Sequence, residues 1–351
     1  MKEKKFQIVE VTETQMHAGS KANSDVAKIA EKLGYKNVEL IKYSEKSTVL
    51  DKLLRQVRYF KEWNKIYNQI PLNSIVLLQN PFHNKQLTRN KILKKLKEEK
   101  KVKFISVVHD VEELRQWLYN NYYKKEFDIM LKLSDVFIVH NEVMKKFFIS
   151  KGIDKHRLIC LEVFDYLQNE SVKVSEFEKS ITIAGNLDSQ KSAYISKLGE
   201  IGRVKFNLYG INFDRALSNF SNINYHGAFP ADVIPQKLSK GFGLIWDGDS
   251  IDSCTGNTGN YLKYNNPHKL SLYLSSGMPV VIWSEAAEAN FVLENNVGFT
   301  VDSLFDLEEK MKNLTEAEYD MYSANVKKIS QRMISGYYTK RALKSAEKIL
   351  K

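Results

Sequence analysis

Short, continuously apolar segments recur along the chain, and they alternate with segments that carry the apolar spacing of helices. Strands buried on both faces have unbroken apolar runs, whereas strands with one wet face alternate apolar and polar residues. The pattern therefore predicts an α/β protein with parallel sheets covered by helices. The segments predicted as strands are 6–11, 74–78, 103–108, 135–139, 180–184, 204–209, 223–226, 242–246 and 279–283.

The predicted strands fall into two series, separated by a polar interval near residues 166–180. A length of 351 residues is compatible with two domains. We place the first domain at 1–168, the second at 169–330 and a terminal helix at 331–351. A long amphipathic helix is predicted at about 47–66. Its apolar residues make it a candidate interface for a homo-oligomer.

Composition and charge narrow the class of protein. The two cysteines, Cys160 and Cys254, are too few for a disulfide framework and lack metal-ligand spacing. The first residues resemble no secretion signal, and no apolar run approaches the roughly 20 residues that span a bilayer. We therefore expect a cytoplasmic protein. The net charge of +11 suits anionic substrates, an anionic membrane face or nucleic acid; no nucleic-acid-binding motif accompanies it, so we expect no nucleic-acid partner.

Residues 246–283 contain the strongest signal for a binding site. Asn266 and Pro267 mark a helix start, and Lys263, His268 and Lys269 cluster around it. The first turn of a helix carries a partial positive charge and unpaired N–H groups, which suit a phosphate. The following helix has an apolar face that packs down, which leaves Lys263, Asn265, Asn266 and His268 at the exposed end. We predict that this segment binds an anion.

Other polar residues follow the predicted strands, at the sheet edge where open α/β proteins bind ligands. Gly185 and Asn186 allow a tight turn or a close ligand, and Lys191 lies within reach of a phosphate; an ordinary loop with a surface lysine is the alternative. Asp247 follows a strand and suits a sugar contact, or simply a turn.

In the first half, two segments follow strands in the same way. His109 and Asp110 are candidates for a general base, although Asp110 equally suits a helix cap. The loop AGSKAN, at 18–23, suits a ligand loop or an ordinary strand-to-helix turn. No metal-ligand constellation occurs in the sequence, so we expect no metal.

Several segments together resemble a known family. They are AGSKA, LQNPF and HDVEELR in the first half, and AGNLDSQKSAYISKL, GFGLIWDG, GNYLKYNNPHKLSLYLSSGMPVVIW and YYTKRAL in the second. They are similar to bacterial glucosyltransferases that extend sugars on serine-rich-repeat adhesins. Galactofuranosyltransferase-like proteins share part of the resemblance.

The resemblance implies a fold and a reaction. The fold would be GT-B: two Rossmann-like domains facing a cleft, with a C-terminal helix that crosses back to the first domain. The reaction would move glucose from UDP-glucose to N-acetylglucosamine on Ser or Thr of the adhesin, without a metal or other cofactor. Alternatives are a UDP-N-acetylglucosamine or UDP-galactofuranose transferase of the same fold, and a non-catalytic nucleotide- or glycan-binding partner.

The resemblance also implies roles for individual residues. It places a phosphate-contacting lysine at Lys263 and a basic residue just after the GNL turn, where this chain has Ser189 with Lys191 nearby. In such an enzyme Tyr209 would lie against the uracil. The acceptor would approach Gly19, Ser20 and Lys21, close to the candidate base.

Overall fold

The chain forms two compact units. The computed structural model describes residues 4–12, 21–43, 48–82, 84–170, 172–173, 175–190 and 192–351. Unit 1 comprises Met1–Glu113, Leu118–Leu161 and Thr339–Lys351, and unit 2 comprises Leu114–Trp117 and Glu162–Tyr338. Each unit is built around its own parallel sheet.

The described strands of unit 1 form a six-stranded parallel sheet in the order β2-β1-β3-β4-β5-β6. Its middle strands are buried along almost their whole length, which explains their unbroken apolar sequences. The strands are β1 (Lys5–Thr12), β2 (Lys36–Lys42), β3 (Ile75–Asn80), β4 (Lys103–Val108), β5 (Val136–Val139) and β6 (Leu158–Cys160).

Helices connect these strands and cover the sheet. The side chains of Tyr59, Trp63 and Ile66 are fully buried in the core. The helices between the strands are α1 (Lys21–Lys32), α2 (Val49–Gln69), α3 (Arg89–Lys100), α4 (Glu112–Arg115), α5 (Asn121–Leu133) and α6 (Glu142–Ser150). The last helix of the chain, α12 (Tyr337–Ile349), lies almost wholly in unit 1. An ion pair of 2.9 Å between Lys5 and Glu347 joins it to β1.

Unit 2 repeats the architecture. Its described strands form a six-stranded parallel sheet in the order β12-β11-β10-β7-β8-β9. The strands are β7 (Glu176–Asn186), β8 (Lys205–Ile211), β9 (Ile223–Tyr225), β10 (Lys240–Ile245), β11 (Val280–Trp283) and β12 (Gly298–Val301). The helices are α7 (Gly256–Tyr261), α8 (His268–Ser275), α9 (Ala289–Glu294), α10 (Asp306–Asn313) and α11 (Glu316–Ile334).

The α/β class predicted from the sequence is confirmed, and every predicted strand is present within a few residues. Three strands were missed. Strand β6 has only 3 residues, and in β12, with the sequence GFTV, a threonine interrupts the apolar run. The third, β2, lies at the sheet edge and is only partly buried, so its sequence carries charges. None of the described helices is long and apolar enough to cross a membrane.

Helix α8 is locked onto the sheet of unit 2 by one aromatic residue. The ring of Tyr273 packs directly on Gly243 of β10, where an added Cβ atom would lie 2.1 Å from the ring. Its hydroxyl oxygen accepts a hydrogen bond of 2.8 Å from the backbone N–H of Ala184 in β7. The side chain is fully buried, so both contacts are shielded from water.

We expect Gly243→Ala to destabilise unit 2, because the new methyl group overlaps a ring that has no room to move in a packed interior. The free energy of unfolding should fall by about 1–3 kcal/mol, measured by urea titration. Gly202→Ala is the matched control, since a Cβ atom there meets nothing within 4 Å. Equal stability of the two variants would show that the Tyr273 contact is not tight.

Candidate functional site

The strand order of unit 2 reverses between β7 and β10. From β7 the chain adds β8 and then β9 on one side of that strand. It then returns and adds β10 on the other side of β7. The connections from two such neighbours leave in opposite directions, which opens a crevice at their carboxyl ends. In open α/β sheets this crevice is where ligands bind.

Lys269 lies at this crevice. Its Nζ atom is 3.4 Å from the carbonyl oxygen of Trp246, just after β10. Its Cε atom is 3.9 Å from where a Cβ atom on Gly185 of β7 would stand. Gly185 has a φ of +137°, a conformation that residues with side chains rarely adopt. A half-buried cation therefore spans the ends of the two strands, beside a glycine that keeps the approach open.

The start of helix α8 is held by two of the residues predicted to bind a ligand. Asn266 was predicted to be exposed, but it is buried, because its Nδ2 donates a hydrogen bond of 2.8 Å to the carbonyl oxygen of Glu162. The ring of His268 stacks on Tyr166 at 5.1 Å between centroids, with an angle of 26° between the planes. Both side chains therefore orient the helix. The positive end of the α8 dipole lies beside Lys269, which adds to its attraction for an anion.

Lys263 and Asn265 precede α8. Lys263 forms an ion pair of 2.7 Å with Glu285, and its Nζ lies 5.1 Å from the centre of the Trp283 ring. The paired side chains are 40% and 61% exposed, so water screens their attraction and an anionic ligand can compete for the lysine. The backbone N–H of Asn265 donates to the carbonyl oxygen of Tyr261.

Asp247 follows β10 at the same edge. Its Oδ1 accepts hydrogen bonds of 2.9 Å from the hydroxyl of Ser192 and from the backbone N–H of Gly248. The carboxylate thus fixes the turn after the strand. Buried nearby, Tyr194 and Cys254 have pKa values raised by burial, and the negative charge of Asp247 adds to the rise. Both groups stay neutral at physiological pH.

An aromatic pair lies at the end of β8. The rings of Tyr209 and His226 stack at 4.6 Å with an angle of 13°. The His226 Nε2 is 3.0 Å from the Asn207 Oδ1, which orients the imidazole. Burial raises the pKa of Tyr209 and lowers that of His226, so both rings are uncharged near neutral pH. A neutral aromatic surface, half-buried at Tyr209 and exposed at His226, suits the face of a planar base.

Asn186 holds the turn that follows β7. Its Oδ1 accepts hydrogen bonds from the backbone N–H of Asp188 and from the Nδ2 of Asn212. Lys191, predicted to reach a phosphate, lies outside the described residues. The structure thus brings together Gly185, Asn186, Asp247 and Lys269 at the carboxyl edge of the sheet, with Tyr209 one strand away.

Reasoning from the sequence missed two residues of this edge. Ser192 carried no signal, because its role comes only from its contact with the carboxylate 55 positions later. Glu285 follows β11, so the rule that singled out polar residues after strands also applied to it. Among the residues that the structure describes, no group of three or more His, Cys, Asp or Glu side chains is placed to hold a metal ion.

In unit 1, His109 follows β4. Its Nε2 is 2.7 Å from the Oε1 of Gln79, and since that amide oxygen only accepts, the proton resides on Nε2. The basic lone pair is therefore on Nδ1. Asp110, the next residue, borders a small cavity together with Asn80 and Glu112.

Lys21 opens helix α1 and forms an ion pair of 2.7 Å with the buried Asp25. Its ammonium group is therefore held against the helix. Gly19 and Ser20, which were predicted with it to contact the acceptor, lie outside the described residues.

His140 is buried directly behind the candidate base. Its Nε2 donates a hydrogen bond of 3.0 Å to the carbonyl oxygen of Val108, the residue before His109. Burial lowers the pKa of His140 from 6.5 to about 4. The imidazole is therefore neutral throughout the physiological range and serves as a fixed donor to the end of β4.

The chain is similar to known glycosyltransferases. Residues 5–163 match the family described as Glucosyltransferase 3-like, N-terminal domain, and residues 181–346 match its C-terminal domain. A β-1,6-galactofuranosyltransferase of Escherichia coli K12, WbbI, is 32% identical over 92% of both chains. Glucosyltransferase 3 of Streptococcus gordonii is 25% identical over 92% of both chains.

Solved structures share the fold. Anabaena HepE in complex with UDP and glucose superimposes with a TM-score of 0.58 at 10% sequence identity, over 98% of this chain and 99% of that one. The likeness shows the GT-B fold that the sequence resemblance implied.

Protonation of His140 should make the protein less stable in acid. The folded-state pKa lies below the unfolded value, so the unfolded chain takes up the proton first as pH falls from 6.5 towards 4. Between pH 7 and pH 5 this linkage removes about 2 kcal/mol from the free energy of unfolding. His140→Gln keeps a hydrogen-bond donor but cannot titrate. Between pH 7 and pH 5 its free energy of unfolding, measured by urea titration, should therefore fall by about 2 kcal/mol less than that of the wild type. Parallel losses in both proteins would contradict the assignment.

Proposed function

The chain belongs to the Glucosyltransferase 3-like family, and from this premise we propose that it transfers glucose from UDP-glucose to N-acetylglucosamine on Ser or Thr of a serine-rich-repeat adhesin. The observation that carries the proposal is the position of Lys269. Lys269 and the N-terminus of helix α8 lie together at the point in unit 2 where the strand order reverses. That combination suits the diphosphate of a nucleotide sugar.

The donor diphosphate would lie at the ends of β7 and β10. Lys269 would contact it directly, and Lys263 would exchange its exposed partner Glu285 for a phosphate oxygen. Gly185 lets the diphosphate approach the backbone without a side chain in the way. Asn266 and His268 support the site by fixing the start of α8.

The uracil and the sugar would extend from the diphosphate in different directions. The stacked pair Tyr209 and His226 offers a neutral aromatic face for the uracil. Asp247 is oriented by Ser192 and has a second oxygen with which to accept from a sugar hydroxyl. These assignments rest on the position of each group at the same sheet edge.

The proposed reaction breaks the bond between the sugar C1 and the UDP oxygen and forms a bond from C1 to the acceptor oxygen. The departing UDP gains negative charge, which the two lysines and the α8 dipole would stabilise without a metal. The acceptor hydroxyl loses its proton, and His109 Nδ1 or the Asp110 carboxylate would take it up. Lys21, with Gly19 and Ser20, remains our proposal for the acceptor side.

A second candidate donor is UDP-galactofuranose. The observation that favours it is the 32% identity to a galactofuranosyltransferase, which exceeds the 25% identity to a glucosyltransferase. Both donors carry the same UDP group, so the diphosphate site described above serves either. The sugar alone separates the two candidates.

Substitution of the lysines tests the donor site. Lys269→Ala and Lys263→Ala should each weaken UDP binding by about 10- to 100-fold, because each removes a charge-assisted contact to phosphate. Isothermal calorimetry measures the affinity. Lys205→Ala is the matched control. Lys205 lies at the amino end of β8, at the end of the sheet away from the candidate site, and it pairs with Glu178. Unchanged UDP affinity in both lysine variants would refute the assignment.

A donor screen tests the reaction. We expect UDP release and a heavier product when UDP-glucose is supplied with a peptide carrying O-linked N-acetylglucosamine, followed by mass spectrometry. UDP-galactofuranose and UDP-N-acetylglucosamine are supplied in separate reactions, and an unglycosylated peptide is the control. Transfer only from UDP-galactofuranose would select the second candidate, and UDP binding without transfer from any donor would indicate a non-catalytic partner.

A further inference from the structure

An exposed apolar segment follows the candidate base along the chain. Trp117, Leu118 and Tyr119 lie between helices α4 and α5, and they are 45%, 43% and 36% exposed. The chain has four tryptophans, all of them among the described residues, and the other three are buried. Three consecutive large apolar side chains in water form a candidate contact surface, which we call the aromatic segment.

Two hydrogen bonds hold the aromatic segment in place. The backbone N–H of Leu118 donates a bond of 2.9 Å to the Oε2 of the buried Glu112. The carbonyl oxygen of Gln116 accepts a bond of 2.9 Å from the Nδ2 of Asn257, and Leu114–Trp117 belongs to unit 2, as Asn257 does. Gln116 has a φ of +57°, a conformation that is uncommon for residues with side chains. Such a conformation persists only where the surroundings fix it, and it is frequent at functional sites.

Asn257 connects the aromatic segment to the turn that carries Asp247. Thr255, two residues before it, packs against Gly248, where an added Cβ atom would lie 2.0 Å from the Thr255 carbonyl oxygen. The backbone N–H of Gly248 donates to the Oδ1 of Asp247. Contacts inside unit 2 therefore fix Gln116 relative to the carboxylate that we assign to a hydroxyl of the donor sugar. The acceptor sugar must bind beside the donor sugar, because the new bond joins C1 to an acceptor oxygen.

The composition of the segment suits a neutral sugar. Residues 116–121, QWLYNN, carry no charge, although the chain has a net charge of +11. A hexose ring has C–H groups on its faces and hydroxyl groups around its rim. Its recognition therefore calls for a flat apolar surface with a few hydrogen-bonding groups beside it. Trp117 supplies the flat surface, and the exposed side chains of Gln116 and Asn121 supply amides that both donate and accept.

We propose that Trp117 is a specificity-determining residue, whose indole packs against the ring of the acceptor sugar. The inference rests on the proposed transferase function and adds to it a contact for the acceptor N-acetylglucosamine. The donor diphosphate is assigned to Lys263 and Lys269, which are separate from this segment. Loss of the indole should therefore weaken acceptor binding and leave UDP binding unchanged.

NMR of the indole groups tests the contact directly. In protein labelled with nitrogen-15 at its four tryptophans, the Trp117 signal is identified by its absence from the Trp117→Phe variant. With UDP present, a peptide carrying O-linked N-acetylglucosamine should shift this signal, whereas the same peptide without the sugar should not. A Trp117 signal that stays in place, or that moves equally with both peptides, overturns the proposal.

Kinetics test the consequence for the reaction. Trp117→Ala should raise the KM for the glycosylated peptide by about tenfold, because the contact with the sugar face is lost. Trp117→Phe keeps an aromatic ring and should recover most of the affinity, and calorimetry should show wild-type UDP binding in both variants. Met321→Ala is the control, since it shortens a side chain of unit 2 that is 44% exposed on α11. Thermal melting checks that every variant is folded.

Failure of this inference differs from failure of the proposed function. Transfer with an unchanged KM in Trp117→Ala would overturn the role of Trp117 and leave the transferase activity standing. A sugar-dependent shift of the Trp117 signal without transfer from UDP-glucose, UDP-galactofuranose or UDP-N-acetylglucosamine would remove the proposed reaction and support the sugar contact.

Discussion

The contact between Tyr273 and the strands β7 and β10 sets the geometry on which the proposed donor site depends. The ring fills the space above Gly243, and the hydroxyl accepts from the N–H of Ala184. Helix α8 is thereby held across the two strands between which the strand order reverses. The start of the same helix carries Lys269, so the buried ring of Tyr273, together with the contacts of Asn266 and His268, determines where that charge lies.

The polar residues around α8 divide into two kinds. Asn266 donates a hydrogen bond to Glu162, and His268 stacks on Tyr166. These contacts hold the helix in place. Lys269 and Lys263 keep part of their surface exposed, and they supply charge. Such a division suits transfer chemistry, because stabilising a departing diphosphate requires charges that are already in position before the bond breaks.

In unit 1, too, a buried residue positions a candidate site residue. His140 is buried and kept neutral, and it donates to the end of the strand that presents His109. Gln79 then fixes the proton of His109 on Nε2. The lone pair that would accept a proton is thus assigned by neighbours that never take part in the chemistry.

Much of the fold and part of the site could be predicted from the sequence. Unbroken apolar runs gave the strands, and Asn266 with Pro267 gave the start of α8, because burial and backbone dihedral preferences act over a few neighbouring residues. The carboxyl ends of the runs then identified Gly185, Asp247 and His109 as positions at the carboxyl edge of a sheet, where open α/β proteins bind ligands.

The partner of each side chain was decided only by the tertiary structure. Asn266 faces a carbonyl 104 positions away, Ser192 meets a carboxylate 55 positions away, and neither contact leaves a local pattern. Helical periodicity likewise showed that α2 is apolar but not which of its apolar faces meets the core. The sequence alone determined the elements and the sheet edge that carries the candidate site, whereas long-range packing determined which residues support that site, which carry its charge and which face solvent.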